Sequence, residues 1–582
     1  MKFKYSYILV ALLLLALGLF FVSVYQKPTI AKVAPSITVQ SESEASAGTK
    51  ISTLILSPDD LVSDKRQSLI NTVKGLISPP DTVILVSGSA DSNISQITVS
   101  DKDWRTKNGN LKSSKNLADK LAEKNLAVVN QGAFSANTND DIVADDIFTN
   151  FPSSKLLPVI IPDNSSKDTL DAFETGLTKV CLGNCLMVVS SDSSIGQLPA
   201  LAEIHDSSTL KALNNLDANS ILQSEVQSKG SYYLALKWST DNGADKFNLV
   251  ENTNSGLIAK NRDEASNSSI FGWFEFGRPN AVISDELSFI LGGDVMFDRG
   301  IDASFRGQKL YDLWSNFGTR VFKGIDLSMV NLEGPISPTE IPIDTSTDNL
   351  NFNFPPLTPN VLSWLNINTV GLANNHTLNN GTAGFANTVK AISDQKVTPL
   401  GRQNYFGDSS IKLIDNGDAK LAVFAIESLE SHTDLTPYIA KEKTAGYKVL
   451  IFTHWGTEYA DIHNLSQEKL AHSWIDAGAD IIIGSHPHVI EDAEVYKGKP
   501  IFYSLGNLVF DQTFSTQTQQ GLIIAGVIKG DKLKLTLLPT IQKNLKPEIM
   551  TGDDRTAVIS KLRSGLGMLS TDAGIGFDQA EF

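Results

Sequence analysis

The chain has few cysteines and lacks the short motifs of several common enzyme classes. Only two of its 582 residues are cysteine, Cys181 and Cys185, which excludes a disulfide scaffold and a four-cysteine zinc site. It contains no Walker-type phosphate loop, no Gly-x-Ser-x-Gly elbow and no cysteine paired with a histidine, so the sites that these motifs mark are excluded. The two cysteines fit either a small disulfide-closed loop or two buried thiols.

Basic residues are also fewer than acidic residues. The chain has 49 lysines and arginines against 65 aspartates and glutamates, a net charge of -16. This balance argues against nucleic-acid partners and against docking on an anionic membrane surface. The length is too great for a single core and favours about two to four folded units.

Charged residues are missing from positions 5–26, a mainly apolar stretch that follows two lysines. It is long enough to cross a bilayer as a helix. A removable signal peptide is the alternative, but its apolar segment is usually shorter, and no small-x-small cleavage site follows at once. We therefore predict a signal anchor at 1–27, a flexible linker at 28–50 and a single-pass cell-membrane protein whose bulk is extracytoplasmic.

Residues 51–280 alternate short apolar runs with amphipathic stretches. Strands that alternate with helices predict a mostly parallel sheet covered on both faces, and hence an α/β domain. The strand candidates are 52–56, 82–86, 156–161 and 186–189, and the helix candidates include 67–77 and 114–123.

This order of elements resembles the Memo-like family, known from protein B of AmmeMemoRadiSam systems and similar in fold to extradiol dioxygenases. The matching pieces are ILSPD at 55–59, VSGSAD at 86–91, LPVI at 157–160 and VSSDS at 189–193. Asp59 and Asp91 stand where that family has metal-binding histidines. The resemblance therefore implies a degenerate Memo-like domain that has lost its metal site.

Histidine is almost absent before residue 300 and frequent after it. Of the eight histidines only His205 lies in the first half. His486 and His488 flank Pro487 directly after the apolar run 481–483. Because proline favours an extended conformation in the residue before it, we expect the two imidazoles to be held in a fixed relation that suits a metal ion. A polar surface loop is the alternative interpretation.

From residue 286 to 545 one pattern recurs, in which an apolar run ends in a cluster of polar residues. Ligand sites of open α/β sheets lie beyond the carboxyl ends of the strands, so these polar residues are expected to converge. They are Asp294, Asn331, Glu333, Asn374, Asn375, His376, His454, His486, His488 and Asn507. Residues 546–582 are predicted to be a C-terminal tail.

Carboxylates and imidazoles in one pocket are typical of a two-metal hydrolase. They suit Mn, Fe, Zn or Mg, one or two ions, and a shared carboxylate can hold two ions about 3.5–4 Å apart. A histidine beside the metals can donate a proton to a leaving group.

Six ordered motifs in this half resemble the CapA family of capsule-synthesis proteins. They are GDVM at 293–296, NLEG at 331–334, ANNHT at 373–377, HWGTEY at 454–459, GAD at 478–480 with HPH at 486–488, and YSLGN at 503–507 with FDQ at 510–512. That family is linked to poly-γ-glutamate biosynthesis and cell-surface anchoring, and it belongs to the calcineurin-like metallophosphoesterase superfamily. The resemblance implies a four-layer α/β/β/α fold.

The resemblance also implies a role for each site residue. Asp294 and His488 would bind a first metal, Glu333 would bridge, Asn375, His454 and His486 would bind a second metal, His376 would be the catalytic acid, and Asn331, Asn374 and Asn507 would complete the pocket. The superfamily's opening motif is Asp-x-His, but this chain has Met296 at the third position. Thioether sulfur is a poor ligand for hard cations, so the first site is expected to be one ligand short.

Two functions remain open at this stage. One is a membrane-anchored, metal-dependent phosphoesterase-like hydrolase that acts in synthesis, export or anchoring of an anionic surface polymer such as poly-γ-glutamate. The other is an inactive scaffold in a surface-polymer assembly complex. The expected partners are the cell membrane, polymer-synthesis membrane proteins and an anionic polymer or phosphoester substrate.

Overall fold

The computed structural model describes residues 50–134, 138–276, 285–429, 433–566 and 575–577. The predicted signal anchor at 1–27 and nearly all of the predicted linker lie outside these ranges. Within them, no helix combines the length and the apolar character needed to cross a membrane. The described residues from Lys50 onward belong to one compact unit.

The first sheet is built from residues 51–275. Its strands follow the order β4-β5-β7-β2-β8-β1-β10-β9, with β3 and β6 beside β7. The central strands β7, β2, β8 and β1 pair in parallel, as predicted, whereas β10 and β9 are antiparallel. The strands are β1 Ile51–Leu56, β2 Thr82–Ser89, β3 Thr98–Val99, β4 Trp104–Thr106, β5 Gly109–Ser113, β6 Val128–Val129, β7 Lys155–Pro162, β8 Cys185–Ser190, β9 Lys246–Asn254 and β10 Ser268–Glu275.

Helices pack on both faces of this sheet through two separate apolar clusters. The helices are α1 Ser63–Leu76, α2 Lys115–Glu123, α3 Thr138–Asn150, α4 Lys167–Val180, α5 Pro199–Asn214, α6 Ala218–Gln223, α7 Lys229–Asp241 and α8 Ser255–Ile258. Cys181 and Cys185 form a disulfide between the end of α4 and the start of β8. Of the two alternatives left open by the sequence, the structure therefore shows the closed loop.

The second sheet follows the order β14-β13-β12-β11-β22-β23-β24, with β21 beside β11 and β25 beside β23. Strands β11 to β14 pair in parallel, and β22 to β24 are antiparallel. The strands are β11 Glu286–Val295, β12 Leu327–Leu332, β13 Thr369–Gly371, β14 Thr398–Leu400, β21 Asn507–Val509, β22 Gln520–Lys529, β23 Lys532–Lys543, β24 Lys546–Ile549 and β25 Ile575–Phe577.

The third sheet follows the order β15-β16-β17-β18-β20-β19, and its four central strands are parallel. Its strands are β15 Ile411–Asn416, β16 Ala419–Glu427, β17 Lys448–His454, β18 Ile481–Ser485, β19 Ala493–Tyr496 and β20 Lys499–Phe502. The helices of this half are α9 Arg299–Phe305, α10 Thr358–Trp364, α11 Gly381–Asp394, α12 Thr436–Thr444, α13 Leu465–Ala477 and α14 Gly552–Leu566. Short 3-10 turns lie at Asp60–Val62, Gln131–Phe134, Gly307–Trp314, Asp408–Ser410 and Gln517–Gln519.

The second and third sheets share one apolar core. Because neighbouring residues of a strand point to opposite faces, Phe289 enters the core between the sheets while Ile290 packs against the outer helices. On the far side, Ile451 and Trp474 belong to the cluster that joins the third sheet to α12 and α13. The result is a mixed α/β fold in which helices cover the outer face of each sheet.

The segment predicted as a tail contributes to the second sheet. Strand β24 pairs with β23, and α14 packs beside β19 and β23. Val558 and Leu562 of α14 are buried in the core between the sheets. The folded part of the chain therefore continues past residue 545, because α14 contributes apolar side chains to the core between the second and third sheets.

Candidate metal centre

The polar residues that follow the strands meet at one edge of the second and third sheets. Asp294 lies near the end of β11, Glu333 directly follows β12, and His454 ends β17. His486 and His488 follow β18. Since parallel strands end at the same edge of a sheet, the chain brings together residues that are far apart in sequence.

Two overlapping groups of side chains could each hold a metal ion. One consists of Asp294, Glu333 and His488, and the other of Glu333, His454 and His486. Within each group the potential ligand atoms lie within 4.8 Å of one another, and all five side chains are buried. Among the residues that the structure describes, these are the only groups of this kind.

Glu333 is common to both groups and is surrounded by imidazoles. Its Oε1 lies 3.7 Å from Nε2 of His488, 3.9 Å from Nε2 of His454 and 4.0 Å from Nε2 of His376. Nδ1 of His488 lies 3.5 Å from Oδ2 of Asp294. The bridging position implied for Glu333 by the family resemblance is therefore geometrically available.

Three asparagines hold these ligands in place. Nδ2 of Asn331 donates to Oδ1 of Asp294 at 2.8 Å, and Nδ2 of Asn374 donates to Oδ1 of Asn331 at 3.0 Å. Oδ1 of Asn507 lies 3.0 Å from Nδ1 of His488. Such contacts fix the orientation of the ligands and, for a histidine, decide which nitrogen is free.

Asn375 and His376 lie at the same edge, after β13. Oδ1 of Asn375 is 2.9 Å from Nε2 of His454, which places it beside the second group. Nδ1 of His376 lies 3.3 Å from Nδ2 of Asn379, and its ring is 4.3 Å from the ring of Phe352. The structure therefore brings together the predicted acid and the predicted amide ligand, although it assigns neither role.

The charges of the centre are strongly coupled. Burial raises the pKa of Glu333 well above its ordinary value, and Asp294 adds to this rise. Burial lowers the pKa of His376 and of His486 to about 4 each, helped by a cationic His488. Burial opposes charge on His488, but Glu333 and Asp294 outweigh it and raise its pKa to about 9. Positive charge in the centre, on His488 or on a bound cation, therefore favours the ionised form of Glu333.

The donor set fits a divalent cation. Oε1 of Glu333 and Nδ1 of His486 are buried without a hydrogen-bond partner. A buried acceptor without a partner is costly, and a cation at either group would satisfy it. Mixed carboxylate and imidazole ligands are those of Mn, Fe and Zn sites, whereas Mg prefers oxygen alone.

The backbone at the two histidines differs from the expectation. An extended conformation was expected for His486 before Pro487, but its φ is 99° and that of His488 is 59°. The amide nitrogen of His486 donates to Oδ2 of Asp294 at 3.1 Å. This tertiary contact outweighs the local preference, and residues held in such sparsely populated conformations often lie at functional sites.

Met296 is buried in the apolar cluster beneath the second sheet. Its sulfur lies 2.8 Å from the amide nitrogen of Asp298. The carboxylate and imidazole ligands of the first group are Asp294, Glu333 and His488.

Arg299 is a charged residue of the site that the sequence did not single out. It is buried, it pairs with Asp511, and Nη1 donates to the carbonyl oxygen of Thr347 at 3.0 Å. Its guanidinium lies 5.0 Å from the ring of Phe352 and 5.6 Å from that of Phe510. Its position five residues after Asp294 was the only signal in the sequence.

The first sheet has no comparable site in its described part. Asp59 accepts a hydrogen bond from the amide of Leu61, and Asp91 is exposed and bonds to Asn93. Asp192 accepts a hydrogen bond from Ser57. These carboxylates stabilise loop conformations at the end of the sheet, and the Memo-like resemblance stays a prediction.

Comparison with known proteins identifies the second half. The model of the family described as "Bacterial capsule synthesis protein PGA_cap" matches residues 288–512. The PGA biosynthesis protein CapA of Bacillus subtilis (strain 168) is 30% identical over 265 residues, 41% of this chain and 67% of that protein. The capsule biosynthesis protein CapA of Bacillus anthracis is 27% identical over 311 residues, 48% of this chain and 73% of that protein.

Among solved structures, a novel phosphatase from Mycoplasma pneumoniae is 14% identical and covers 44% of this chain and 94% of its own. Its TM-score to this chain is 0.29. The matched family region contains all the predicted ligands, from Asp294 to His488, together with Asn507. On the family match and the CapA relatives, the chain belongs to the bacterial capsule synthesis protein PGA_cap family.

Proposed function

We propose that this protein is a metal-dependent hydrolase of phosphoesters that acts in the synthesis, export or anchoring of an anionic surface polymer such as poly-γ-glutamate. The observation that carries the proposal is the pair of buried ligand groups that share Glu333. The polymer is inferred from the names of the relatives, which are a PGA biosynthesis protein and a capsule biosynthesis protein. Anchoring by residues 1–27 at the outer face of the membrane, beside polymer-synthesis membrane proteins, belongs to the same proposal.

The residues divide the chemistry between them. Asp294, Glu333 and His488 would hold one ion, and Glu333, His454 and His486, with Asn375 beside them, would hold another. Divalent ions held by these residues would supply Lewis-acid activation of water and would neutralise charge on a phosphoryl group. The asparagines orient the ligands, and the burial of the centre restricts water.

His376 is the proposed proton donor to the leaving group. Its pKa of about 4 leaves the ring neutral at pH 7. An anionic phosphoryl group beside the ring favours the protonated form and raises this pKa. Protonation of His376 is therefore expected to accompany substrate binding, so that an acid is present only when a substrate needs it.

The test compares the purified full chain with two histidine variants. His486→Ala removes a ligand whose Nδ1 is buried without a partner. His472→Ala is the matched control, because His472 contacts Glu494 and stacks on Tyr496 at 3.7 Å, away from both groups. We expect wild type and His472→Ala to bind divalent metal and to hydrolyse bis(4-nitrophenyl) phosphate.

We expect His486→Ala to lose most of the metal and at least about a hundredfold in rate, since it removes a ligand and its charge stabilisation together. The readouts are elemental analysis of the dialysed protein and release of 4-nitrophenolate. A metal-free, inactive wild type that is unchanged by His486→Ala would refute the proposal.

The second candidate function is a scaffold in a surface-polymer assembly complex that keeps the fold without the reaction. The specific observation in its favour is Met296, which leaves the first group without the histidine of the superfamily motif.

A further inference from the structure

Two exposed aromatic side chains stand beside the metal centre. Tyr459 lies in the loop after β17, and Phe514 lies in the loop after β21. Their side chains are 45% and 67% exposed. The two rings are 5.2 Å apart at 83°, and the Tyr459 ring is 6.1 Å from the ring of His488. Exposed apolar groups that adjoin a catalytic centre are often contact surfaces for a ligand.

Tyr459 is held firmly in this exposed position. Its φ of 63° is in the left-handed region, and its amide donates to the carbonyl oxygen of Pro487 at 2.8 Å. Its hydroxyl accepts a hydrogen bond from Nε2 of Gln512 at 3.2 Å. Oε1 of Gln512 accepts from Asn507, which in turn contacts His488. A non-glycine residue in this conformation is costly and persists only where its surroundings fix it.

The loops around the centre are acidic. The segment 337–353 contains Glu340, Asp344 and Asp348, and the loop 456–464 contains Glu458 and Asp461. Neither loop contains a lysine or an arginine, and neither does the segment 511–519 that includes Phe514. Contacts from Arg299 and Asn379 tie the first segment to the centre. Asp461 pairs with Lys561 of α14 at 3.4 Å, and the other acidic side chains of these loops disfavour a polyanionic chain and tolerate an uncharged group.

We propose that Tyr459 and Phe514 form a subsite for an uncharged ring with an apolar face in the leaving group of the phosphoester. This proposal rests on the proposed function, and it narrows the substrate class to ring-bearing phosphoesters, with either an aryl or a sugar ring, in place of a free polyanion. The ring stacks on the exposed face of Tyr459, with Phe514 at its edge.

Binding of phosphonates, which are not hydrolysed, tests the subsite apart from turnover. The probes are methylphosphonate, benzylphosphonate and the phosphonate analogue of glucose 1-phosphate, measured by calorimetry with the metal-loaded full chain. We expect at least one of the ring-bearing probes to bind about tenfold more tightly than methylphosphonate, the scale of one good aromatic contact. Which of the two rings gains identifies the source as aryl or sugar.

Variants then test whether the preference for a ring-bearing phosphonate depends on the side chains of Tyr459 and Phe514. Tyr459→Ala combined with Phe514→Ala is expected to reduce the preference to less than about twofold, since both stacking surfaces are lost. Phe514→Ala alone is expected to reduce this preference partly. This variant leaves the hydrogen bonds of Tyr459 intact. Tyr459→Phe keeps the ring and should keep most of the preference.

Trp364→Ala is the matched control. Trp364 is also exposed, at 42%, and its ring meets that of Tyr311 at 81° in a similar edge contact. It is the last residue of α10 and precedes β13, so it lies at the opposite edge of the second sheet from the metal centre. This variant should retain the full preference for a ring.

The outcomes separate the two proposals. A ring preference without any hydrolysis would refute the hydrolase and leave the subsite standing. Equal affinities for all three phosphonates, or a preference that survives the double variant, would overturn the subsite whatever the activity. Tighter binding of a γ-glutamate oligomer, lost with Tyr459 and Phe514, would also overturn it.

Discussion

At the scale of single residues, the identity of residue 296 decides how many donors the first group offers. Asp294, Glu333 and His488 are close enough to share one ion. Met296 is buried among apolar side chains, with its sulfur against the amide of Asp298. Since a thioether binds hard or borderline cations poorly, the first group depends on three ligands where a nitrogen at position 296 would give four.

Met296→His is expected to strengthen metal binding at the first group by about tenfold or more, the scale at which single groups act on metal affinity. The new imidazole must leave the apolar cluster to reach Asp294, so we also expect a loss of about 1–3 kcal/mol in the free energy of unfolding. Titration of the apoprotein with Mn²⁺ and release of 4-nitrophenolate measure the gain. Met296→Leu is the control, because it keeps an apolar side chain of similar size.

This variant also separates the two candidate functions. If Met296→His binds more metal than wild type and also reacts faster, the native protein is a weakened hydrolase. More metal without any reaction favours the scaffold. Metal affinity that matches Met296→Leu would contradict the ligand position that the family resemblance implies for residue 296.

At the scale of elements, the sequence predicted the strand cores well and their surroundings poorly. The apolar run 481–483 begins β18, and the helix candidates at 67–77 and 114–123 correspond to α1, Ser63–Leu76, and α2, Lys115–Glu123. The short strands β3, β4 and β6 carry no clear pattern, because such strands depend on the partners that they meet. The antiparallel pair β22 and β23 was not predicted for a different reason, because these strands do not end in a cluster of metal-ligand residues.

The same division holds for the site. The convergence of Asp294, Glu333 and the histidines follows from a general rule of parallel sheets. The left-handed backbone conformation of His486 does not follow from this rule, because it depends on a hydrogen bond to Asp294, 192 residues away. The position of Arg299 likewise depends on Asp511. A pattern of neighbouring residues in the sequence does not predict contacts between segments that are far apart in the chain.

One contact between α13 and the loop after β18 makes the free energy of unfolding depend on pH. Gln467 belongs to the capping box of α13 with Asn464, and its Nε2 also donates to Oε2 of Glu491 at 2.7 Å. Burial raises the pKa of Glu491 to about 8. Its pKa in the unfolded chain is about 4.3. Between these values the folded protein keeps a proton that the unfolded chain has lost, so Glu491 makes the protein less stable as the pH rises from about 4.3 to 8.

Glu491→Gln removes this charge and keeps an acceptor for Gln467. We expect the variant to gain stability relative to wild type as the pH rises through this window, by on the order of 1–3 kcal/mol at pH 8. At pH 4 both proteins are uncharged at this position, and their free energies of unfolding should converge. Urea denaturation at a series of pH values measures the difference, and a constant difference would contradict the raised pKa.

At the scale of the whole molecule, the first sheet is joined to the second through α5. Leu201 and Ile204 of this helix are buried in the apolar cluster of the second sheet. Along the same helix, Lys211 pairs with Asp326 at 3.0 Å, and Nε2 of His205 lies 3.2 Å from the carbonyl oxygen of Val321. The sequence predicted one domain at 51–280 and another from residue 286, and α5 of the first contributes apolar side chains to the core of the second.

Unfolding is therefore expected to be cooperative across this boundary. Ile204→Ala removes side-chain atoms from the shared cluster and should lower the free energy of unfolding by about 2–5 kcal/mol, and Ile204→Val by about 0.5–1.5 kcal/mol. Because both sheets depend on α5, the slowest amides of β2 and of β12 should lose protection to the same extent in hydrogen exchange. Loss confined to one of these strands, or two thermal transitions of which only one shifts, would mean that the two parts unfold independently.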